Sequence, residues 1–192
     1  MKITRQLIRK IIEETFKLDS AQVLSQMAHQ GQQRRSGEPY FLHPQEVANI
    51  VRGYYQDTET YYVAMLHDAL EDGIPLGNIE DEEDFFNMLA AELPASDIEA
   101  IDDIYNSVVS LTRYPGSDYQ SYVVNLTQDK FAFRVKLADM MHNINDNPSE
   151  KQIKKYTKTK EMLVDMFGGN VPRGINAKHW RDFQRKIEEA GK

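Results

Sequence analysis

The sequence contains no cysteine among its 192 residues. This absence excludes disulfide bonds, thiolate metal sites and a catalytic thiol, so any metal ion must be held by histidine and carboxylate groups. Long apolar runs are also missing, since none approaches the roughly 20 residues that cross a bilayer. The charged start Met1–Arg5 is not followed by an apolar block of the signal-peptide type. We therefore expect a cytoplasmic protein with no membrane partner.

Basic residues are outnumbered in this chain. Its 23 lysines and arginines stand against 30 aspartates and glutamates, which gives a formal net charge of −7. Binding to a phosphate backbone depends on a basic surface, so this balance argues against a nucleic-acid partner. An anionic small substrate would need basic residues placed locally around it. The composition leaves the oligomeric state open.

Strand patterns are absent too. Apolar residues recur with a helical period, and no alternating run persists. We predict an all-α fold in one domain over residues 1–192, with a core at about 20–167 and a C-terminal helical extension over 170–192. The predicted helices run from Ile3 to Phe16, from about Ser20 to Gly31, from His43-Pro44 through Val51, from Tyr61 to Leu70, through Phe85–Leu89, from Ser96 through Leu111, from Ser117 to Leu126, from Asp129 through Met141, from Ser149 to Gly168-Gly169 and from about Asn176 to Ala190.

The stretch from Ala64 to Asp72 joins an apolar helix to four titratable side chains. On a continuous helix, Glu71 lies one turn beyond His67 and Asp72 one turn beyond Asp68, so each pair shares a face. These groups are costly to bury unless a positive charge lies among them. A divalent cation would serve. The following segment, Gly73–Gly77, is predicted to break the chain.

Two further residues extend this candidate site. His43 opens a helix beside an arginine-rich loop, and Asp139 shares a face of a mostly apolar helix with Asn143. Each residue alone has an ordinary explanation, such as a helix cap or, for Asp139, a pair with Arg134 or Lys136. Two imidazoles and two carboxylates together suit a first-row divalent ion such as manganese, iron or zinc.

The residues His43, His67-Asp68 and Asp139 resemble the H…HD…D pattern of the HD phosphohydrolase superfamily. One branch, the hydrolase domain of the RelA/SpoT family, is similar over about residues 20 to 147. The fragments that carry this similarity are Ala28-His29-Gln30-Gly31-Gln32, Arg34, Ser36-Gly37-Glu38-Pro39-Tyr40, His43-Pro44, Leu66-His67-Asp68, Glu71-Asp72, Lys136-Leu137-Ala138-Asp139 and His142-Asn143. The resemblance implies a helical HD-domain bundle around a central metal site.

The resemblance also implies roles for individual residues. The metal ligands would be His43, His67, Asp68 and Asp139, and the metal would most often be manganese. Glu71 and Asp72 would orient or deprotonate the attacking water, in agreement with general base catalysis beside a metal ion. The substrate contacts would be Arg34, which holds the nucleotide, Ser36 and Asn143 near the base, and Lys136. The run Leu111-Thr112-Arg113, followed by Tyr119 and Tyr122, is similar to small bacterial members of the family, which implies that Arg113 is a further phosphate contact. For Lys136 a solvent-exposed charge, and for Arg113 a structural salt bridge, are the competing interpretations.

The implied reaction removes the 3′-pyrophosphate of guanosine tetra- or pentaphosphate (ppGpp or pppGpp), as in a small alarmone hydrolase. Three positions depart from the long enzymes of the family: Met140 replaces a common arginine, Asp146 a threonine near the base, and Gly73 a threonine after the Glu-Asp pair. The departures leave two alternatives, an HD phosphohydrolase acting on another nucleotide (a nucleoside monophosphate, a deoxynucleoside triphosphate or a 2′-phosphorylated dinucleotide) and a non-catalytic nucleotide sensor.

Three other features are not assigned a catalytic or metal-binding role. The basic face formed by Lys151, Lys154, Lys155 and Lys158 is either solvated or attracts substrate phosphate. His29 is expected to stabilise the loop or to position the metal ligands without binding the metal itself. His179 is expected at the surface.

Overall fold

A computed structural model describes residues 20–93 and 98–191. All regular structure in these ranges is helical, apart from one isolated antiparallel bridge between Gln33 and Pro39, and the all-α prediction is confirmed. The predicted helix Ile3–Phe16 and the predicted cap Ser96 lie outside the described residues. The helices are α1 (residues 20–28), α2 (Leu42–Arg52), α3 (Thr58–Leu66), α4 (Ala69–Leu76), α5 (Glu82–Glu92), α6 (Ile98–Leu111), α7 (Tyr119–Leu126), α8 (Lys130–Asn143), α9 (Glu150–Met166) and α10 (Ala177–Ala190).

The buried helices α3 and α8 organise the core. Every residue of α3 from Thr60 to Leu66 is buried, so this helix has no polar face and must be surrounded. It packs against α2, α6 and α8. Helix α8 contributes to two apolar clusters, one around α3 and one shared with α9 and α10. Each fully buried Val, Leu, Phe or Met side chain contributes about 1.5–3 kcal/mol to stability, so burial around α3 and α8 strongly stabilises the fold. In the described ranges no helix combines the length and the apolar character of a membrane span.

The segment after α3 differs from the prediction in two ways. Helix α3 ends at Leu66, His67 and Asp68 form a turn, and α4 starts at Ala69. The predicted break at Gly73–Gly77 is wrong, because α4 continues through Pro75 and ends only at Gly77, whose φ of 74° is left-handed. Gly73 serves packing instead, since a Cβ there would lie 2.8 Å from Cδ1 of Ile79. The absence of a side chain lets α4 approach its neighbours closely.

Helix starts were predicted mostly from capping residues. Asp129 accepts from the backbone N–H groups of Phe131 and Ala132, and Ser149 with Gln152 forms the predicted capping box. Asn176 caps α10 as expected. The predicted cap Ser117 is wrong: Asp118 caps α7, while the Ser117 hydroxyl donates to the carbonyl of Tyr114 in the preceding turn.

The start of α2 was predicted at His43-Pro44. The helix begins one residue earlier, at Leu42, so Pro44 occupies its third position. The missing N–H costs no hydrogen bond in the first turn. His43 therefore lies within the first turn of α2, where its side chain is buried.

His179 is buried, which corrects the expectation of a surface residue. Its ring stacks on Tyr54 with centroids 4.4 Å apart, and its Nδ1 lies 3.0 Å from the hydroxyl of Tyr55. His179 is buried because it lies on the same helical face as Phe183 and Ile187, which follow it at intervals of four residues along α10.

This burial predicts a pH dependence of stability. Desolvation lowers the pKa of His179 to about 3 from an ordinary 6.5. The unfolded chain therefore binds a proton below pH 6.5 that the folded chain does not, and the free energy of unfolding should fall by up to about 1.4 kcal/mol per pH unit below 6.5. Urea unfolding at pH 7 and pH 5 measures this dependence. His179→Phe, which keeps an aromatic ring against Tyr54, should lose less stability between the two pH values, and equal losses would contradict the assignment.

Candidate active site

Three buried side chains from separate elements converge at one point. His43 comes from α2, His67 from the turn after α3, and Asp139 from α8. Each offers one ligand atom, and these atoms all lie within 4.8 Å of one another. The convergence follows from packing, because α2, α3 and α8 contact one another pairwise. Residues far apart in sequence therefore form a candidate metal centre.

The surroundings of His67 fit a metal ligand. Its Nδ1 lies 2.8 Å from the carbonyl oxygen of Ala64, which only accepts, so Nδ1 carries a proton and Nε2 is the ring atom left to bind a cation. That Nε2 is buried and has no hydrogen-bond partner among the described residues. Burial opposes a charge on this ring, but Asp68 and Asp139 outweigh burial and raise the pKa of His67 to about 9. The centre thus attracts positive charge, as a cation site does.

Asp68 adjoins the group of three. Its Oδ2 lies 3.3 Å from Nε2 of His67 and 3.5 Å from Nε2 of His43, and it accepts a hydrogen bond of 2.9 Å from the hydroxyl of Tyr40. All four predicted ligands are therefore brought together. Two imidazoles and two carboxylates fit a divalent first-row ion.

His142 orients His43, a role that the sequence interpretation did not assign. The Nδ1 atoms of the two rings are 2.9 Å apart. Burial, with the nearby charges of His43 and Arg34, lowers the pKa of His142 to about 4, so its ring is neutral near pH 7. A neutral His142 accepts from Nδ1–H of His43 and leaves Nε2 of His43 turned toward Asp139, at 3.3 Å from Oδ1. His142 lies three residues after Asp139, and that helical spacing was the available signal.

Asp139 is held by two neighbours on its own helix. Lys136 Nζ lies 2.7 Å from Oδ2, and the amide of Asn143 donates to Oδ1. Burial opposes ionisation of Asp139, but Lys136 outweighs it and keeps the pKa of this carboxyl well below its usual range. The Lys136 side chain is only 15% exposed, so its interpretation as a solvent-exposed charge is wrong. Asp139 is an oriented carboxylate.

Glu71 and Asp72 start α4 but face different surroundings. Glu71 accepts from the backbone N–H of Arg113 at 3.1 Å and lines a cavity beside the metal centre. Asp72 accepts from Nε2 of Gln32 at 3.1 Å, and His29 Nδ1 contacts Oε1 of Gln32 at 2.8 Å. Burial raises the pKa of both carboxyl groups. Glu71 is thus placed to take a proton, while His29 supports Asp72 through Gln32.

Two cavities meet at the metal centre. One, of about 430 Å³, is lined by the predicted nucleotide contacts Arg34, Ser36 and Asn143, and by Asp146. The other, of about 360 Å³, is lined by Asp68, Glu71 and Asp139. The residues that line both cavities are Tyr40, His43, Asn143 and Gln152. The two spaces together resemble in size a small-molecule site of roughly 300–1,000 Å³.

The remaining predicted contacts fall in these cavities too. Lys136 and Arg113 line the second one. Arg113 forms no ion pair with the described residues, so its interpretation as a structural salt bridge is wrong. Arg34 pairs with Asp146, which ties the predicted nucleotide arginine to one of the departures from the family.

Lys155 is the second residue of the site, after His142, to which the sequence interpretation gave no individual role. It lines the second cavity, whereas Lys151, Lys154 and Lys158 of the same helix are exposed. The basic face is therefore divided into three solvated lysines and one inward lysine. Helical period alone did not separate Lys155 from its neighbours, because it lies at the border of the face.

An all-α bundle that gathers two histidines and two aspartates at one buried point defines a helical domain with a candidate metal centre. The HD domain family matches residues 21–164, and the chain belongs to that family. The predicted resemblance is thereby confirmed.

Relatives that match most of the chain have names that refer to the synthesis or hydrolysis of (p)ppGpp and to GTP pyrophosphokinase. Over 160 residues the chain is 31% identical to the bifunctional (p)ppGpp synthase/hydrolase SpoT of Escherichia coli K12, covering 82% of the chain and 22% of the relative. It is also 31% identical over 137 residues to a GTP pyrophosphokinase of Myxococcus xanthus, covering 70% of the chain and 18% of the relative. The chain thus spans about a fifth of these relatives. A solved structure described as a metazoan ortholog of SpoT that hydrolyzes ppGpp shares the fold, with a TM-score of 0.65 at 20% identity, over 91% of this chain and 96% of that one.

Proposed function

We propose that this chain is a metal-dependent phosphohydrolase that removes the 3′-pyrophosphate of ppGpp or pppGpp, giving GDP or GTP and pyrophosphate. The observation that carries the proposal is the position of the buried group His43, His67 and Asp139 where two cavities meet. The names of relatives support it, among them the guanosine-3′,5′-bis(diphosphate) 3′-pyrophosphohydrolase of Escherichia coli O157:H7, 31% identical over 160 residues. We place the reaction in the cytoplasm and assign it to one domain over residues 1–192.

The metal in this proposal is a divalent cation, and we infer Mn²⁺, held by His43, His67, Asp68 and Asp139. When bound, such an ion polarises a phosphoryl oxygen and makes water more acidic. Glu71 takes the proton of the attacking water, because its carboxylate lines the same cavity and burial raises its pKa toward neutrality.

The substrate contacts follow the two cavities. The nucleoside end occupies the cavity of Arg34, Ser36 and Asn143, where amides and a guanidinium offer directed hydrogen bonds. The reacting phosphoryl group lies in the cavity of Glu71, Arg113 and Lys136. Asp146 accepts hydrogen bonds from the base or ribose in this arrangement.

The Arg34–Asp146 ion pair favours a second candidate, hydrolysis of another nucleotide. A carboxylate beside Arg34 neutralises the charge that would attract a phosphate. With its 3′-diphosphate at the metal centre, ppGpp would also bring its 5′-diphosphate to the nucleoside end, so the substrates in this second case would be nucleotides without a second phosphate group there, such as nucleoside monophosphates.

A hydrolysis assay separates these candidates. The full chain with Mn²⁺ is incubated with ppGpp and, in parallel, with nucleoside monophosphates, deoxynucleoside triphosphates and a 2′-phosphorylated dinucleotide. We expect release of GDP and pyrophosphate from ppGpp, with no release by His67→Ala, which removes a ligand candidate. Circular dichroism confirms that the variant folds. Intact ppGpp beside a cleaved nucleotide would favour the second candidate, and no turnover of any nucleotide would favour the sensor.

A further inference from the structure

The wall of the second cavity holds two cations that lack a carboxylate partner. Lys155 and Arg113 both line this cavity, and neither forms an ion pair within residues 20–93 and 98–191. Lys136, the third cation there, is already paired with Asp139. The positive charges of Lys155 and Arg113 are therefore available to bind an anion.

Aromatic rings hold this charge inside the cavity. Lys155 Nζ lies 4.4 Å from the ring centroid of Tyr119 and 4.6 Å from that of Tyr156. The Arg113 guanidinium lies 5.8 Å from the same Tyr119 ring. Such cation–π contacts fix the position of an ammonium group without neutralising it. Tyr119 thus gathers both unpaired cations around one ring, which the paired Lys136 also approaches, with its Nζ 6.0 Å from the centroid.

Tyr119 also has an unused polar group. Its hydroxyl is buried and has no hydrogen-bond partner among the described residues. Buried hydroxyl groups are normally hydrogen-bonded, so this one indicates a missing acceptor. Burial, with the nearby charge of Lys136, lowers the pKa of Lys155, which a bound anion would counteract.

We propose that Lys155, Tyr119 and Arg113 form a subsite for the terminal phosphoryl group of the pyrophosphate that leaves the substrate. This assignment rests on the proposed function for the identity of the ligand. The location supports it, because the same cavity contains Glu71, Asp68 and Asp139 and is therefore the reacting end of the site. A phosphoryl oxygen accepts from an ammonium, a guanidinium and a hydroxyl together. Lys155 and Tyr119 then determine how strongly diphosphate is held.

The test is calorimetric binding of inorganic pyrophosphate to the full chain, first in chelating buffer and then with Mn²⁺. Lys155→Gln is compared with Lys154→Gln, an equal change at the exposed neighbouring lysine. We expect Lys155→Gln to weaken binding about tenfold, since a hydrogen bond to a charged group is lost, and Lys154→Gln to change it less than about twofold. Tyr119→Phe, which removes only the hydroxyl, should weaken binding by about threefold or more.

Two results would overturn the subsite. One is equal pyrophosphate affinity in Lys155→Gln, Lys154→Gln and the unmodified chain, and the other is no pyrophosphate binding by the unmodified chain. Circular dichroism and melting temperatures exclude unfolding as the cause of a loss. The proposed function fails separately: if ppGpp is not hydrolysed but pyrophosphate binding depends on Lys155, the subsite stands and the reaction does not. If ppGpp is hydrolysed and Lys155 makes no difference, the reaction stands and the subsite does not.

Discussion

Asp139→Asn is expected to remove metal binding and to lower hydrolysis by at least about 100-fold. Mutation of a residue that only hydrogen-bonds to a metal ligand already costs about 10- to 100-fold in affinity or activity, and Asp139 is itself a ligand candidate. Asp139 offers one oxygen to the group formed with His43 and His67, and an amide is a much weaker ligand for a cation. Hydrolysis of ppGpp and the rise in melting temperature caused by Mn²⁺ measure the two losses. Asp165→Asn on the exposed face of α9 is the matched control and should change neither.

Stability must be separated from chemistry in this variant. Removing the charge of Asp139 leaves Lys136 buried without its partner, which should cost about 3 kcal/mol, the lower end for such pairs because Lys136 keeps 15% exposure. The double variant Asp139→Asn with Lys136→Met should recover most of this free energy of unfolding in urea but none of the metal binding. Recovery of metal binding in the double variant would show that Asp139 acts only through Lys136.

The helical fold was predictable because its signals are local. Apolar period located the helices, and carboxylate, hydroxyl and amide caps at Asp129, Ser149 and Asn176 located three of their starts. The wrong predictions of helix boundaries arose where tertiary contacts, and not the local sequence, determine the structure. Gly73 carries no side chain because Ile79 occupies the space, and no local rule distinguishes that glycine from a helix breaker. His179, in contrast, followed the buried spacing of α10 and could have been recognised.

The candidate site was predictable only as a set of residue types. The number of residues between Asp68 and Asp139 does not predict the distance between their side chains. The packing of α2, α3 and α8 brings the two together. The resemblance to a family supplied the set, and the geometry separated the roles of its members. It placed Glu71 at a cavity and Asp72 against Gln32, although the two are adjacent in sequence. Lys155 entered the site through an inward turn of one side chain that periodicity does not specify.

Glu71→Gln is expected to lower turnover of ppGpp by about 100- to 10,000-fold, the range for loss of a positioned proton acceptor, while metal and nucleotide binding persist. The amide oxygen of glutamine can still accept from the backbone N–H of Arg113, so the local structure is kept. Asp72→Asn should have a smaller effect, because Asp72 is bound to Gln32. Glu83→Gln on the exposed face of α5 is the control and should leave turnover unchanged.

The pH dependence of turnover tests the proposed role of Glu71 as the proton acceptor. Burial raises its pKa above the ordinary 4.5, and a base must be ionised, so turnover of the unmodified chain should fall as the pH drops through this raised pKa. The residual turnover of Glu71→Gln should lack that acidic limb, since glutamine does not titrate. If the limb persists in the variant, another group takes the proton. If Glu71→Gln binds metal and ppGpp like the unmodified chain and neither protein turns it over, the arrangement serves a nucleotide sensor, because a sensor has no use for an ionised Glu71.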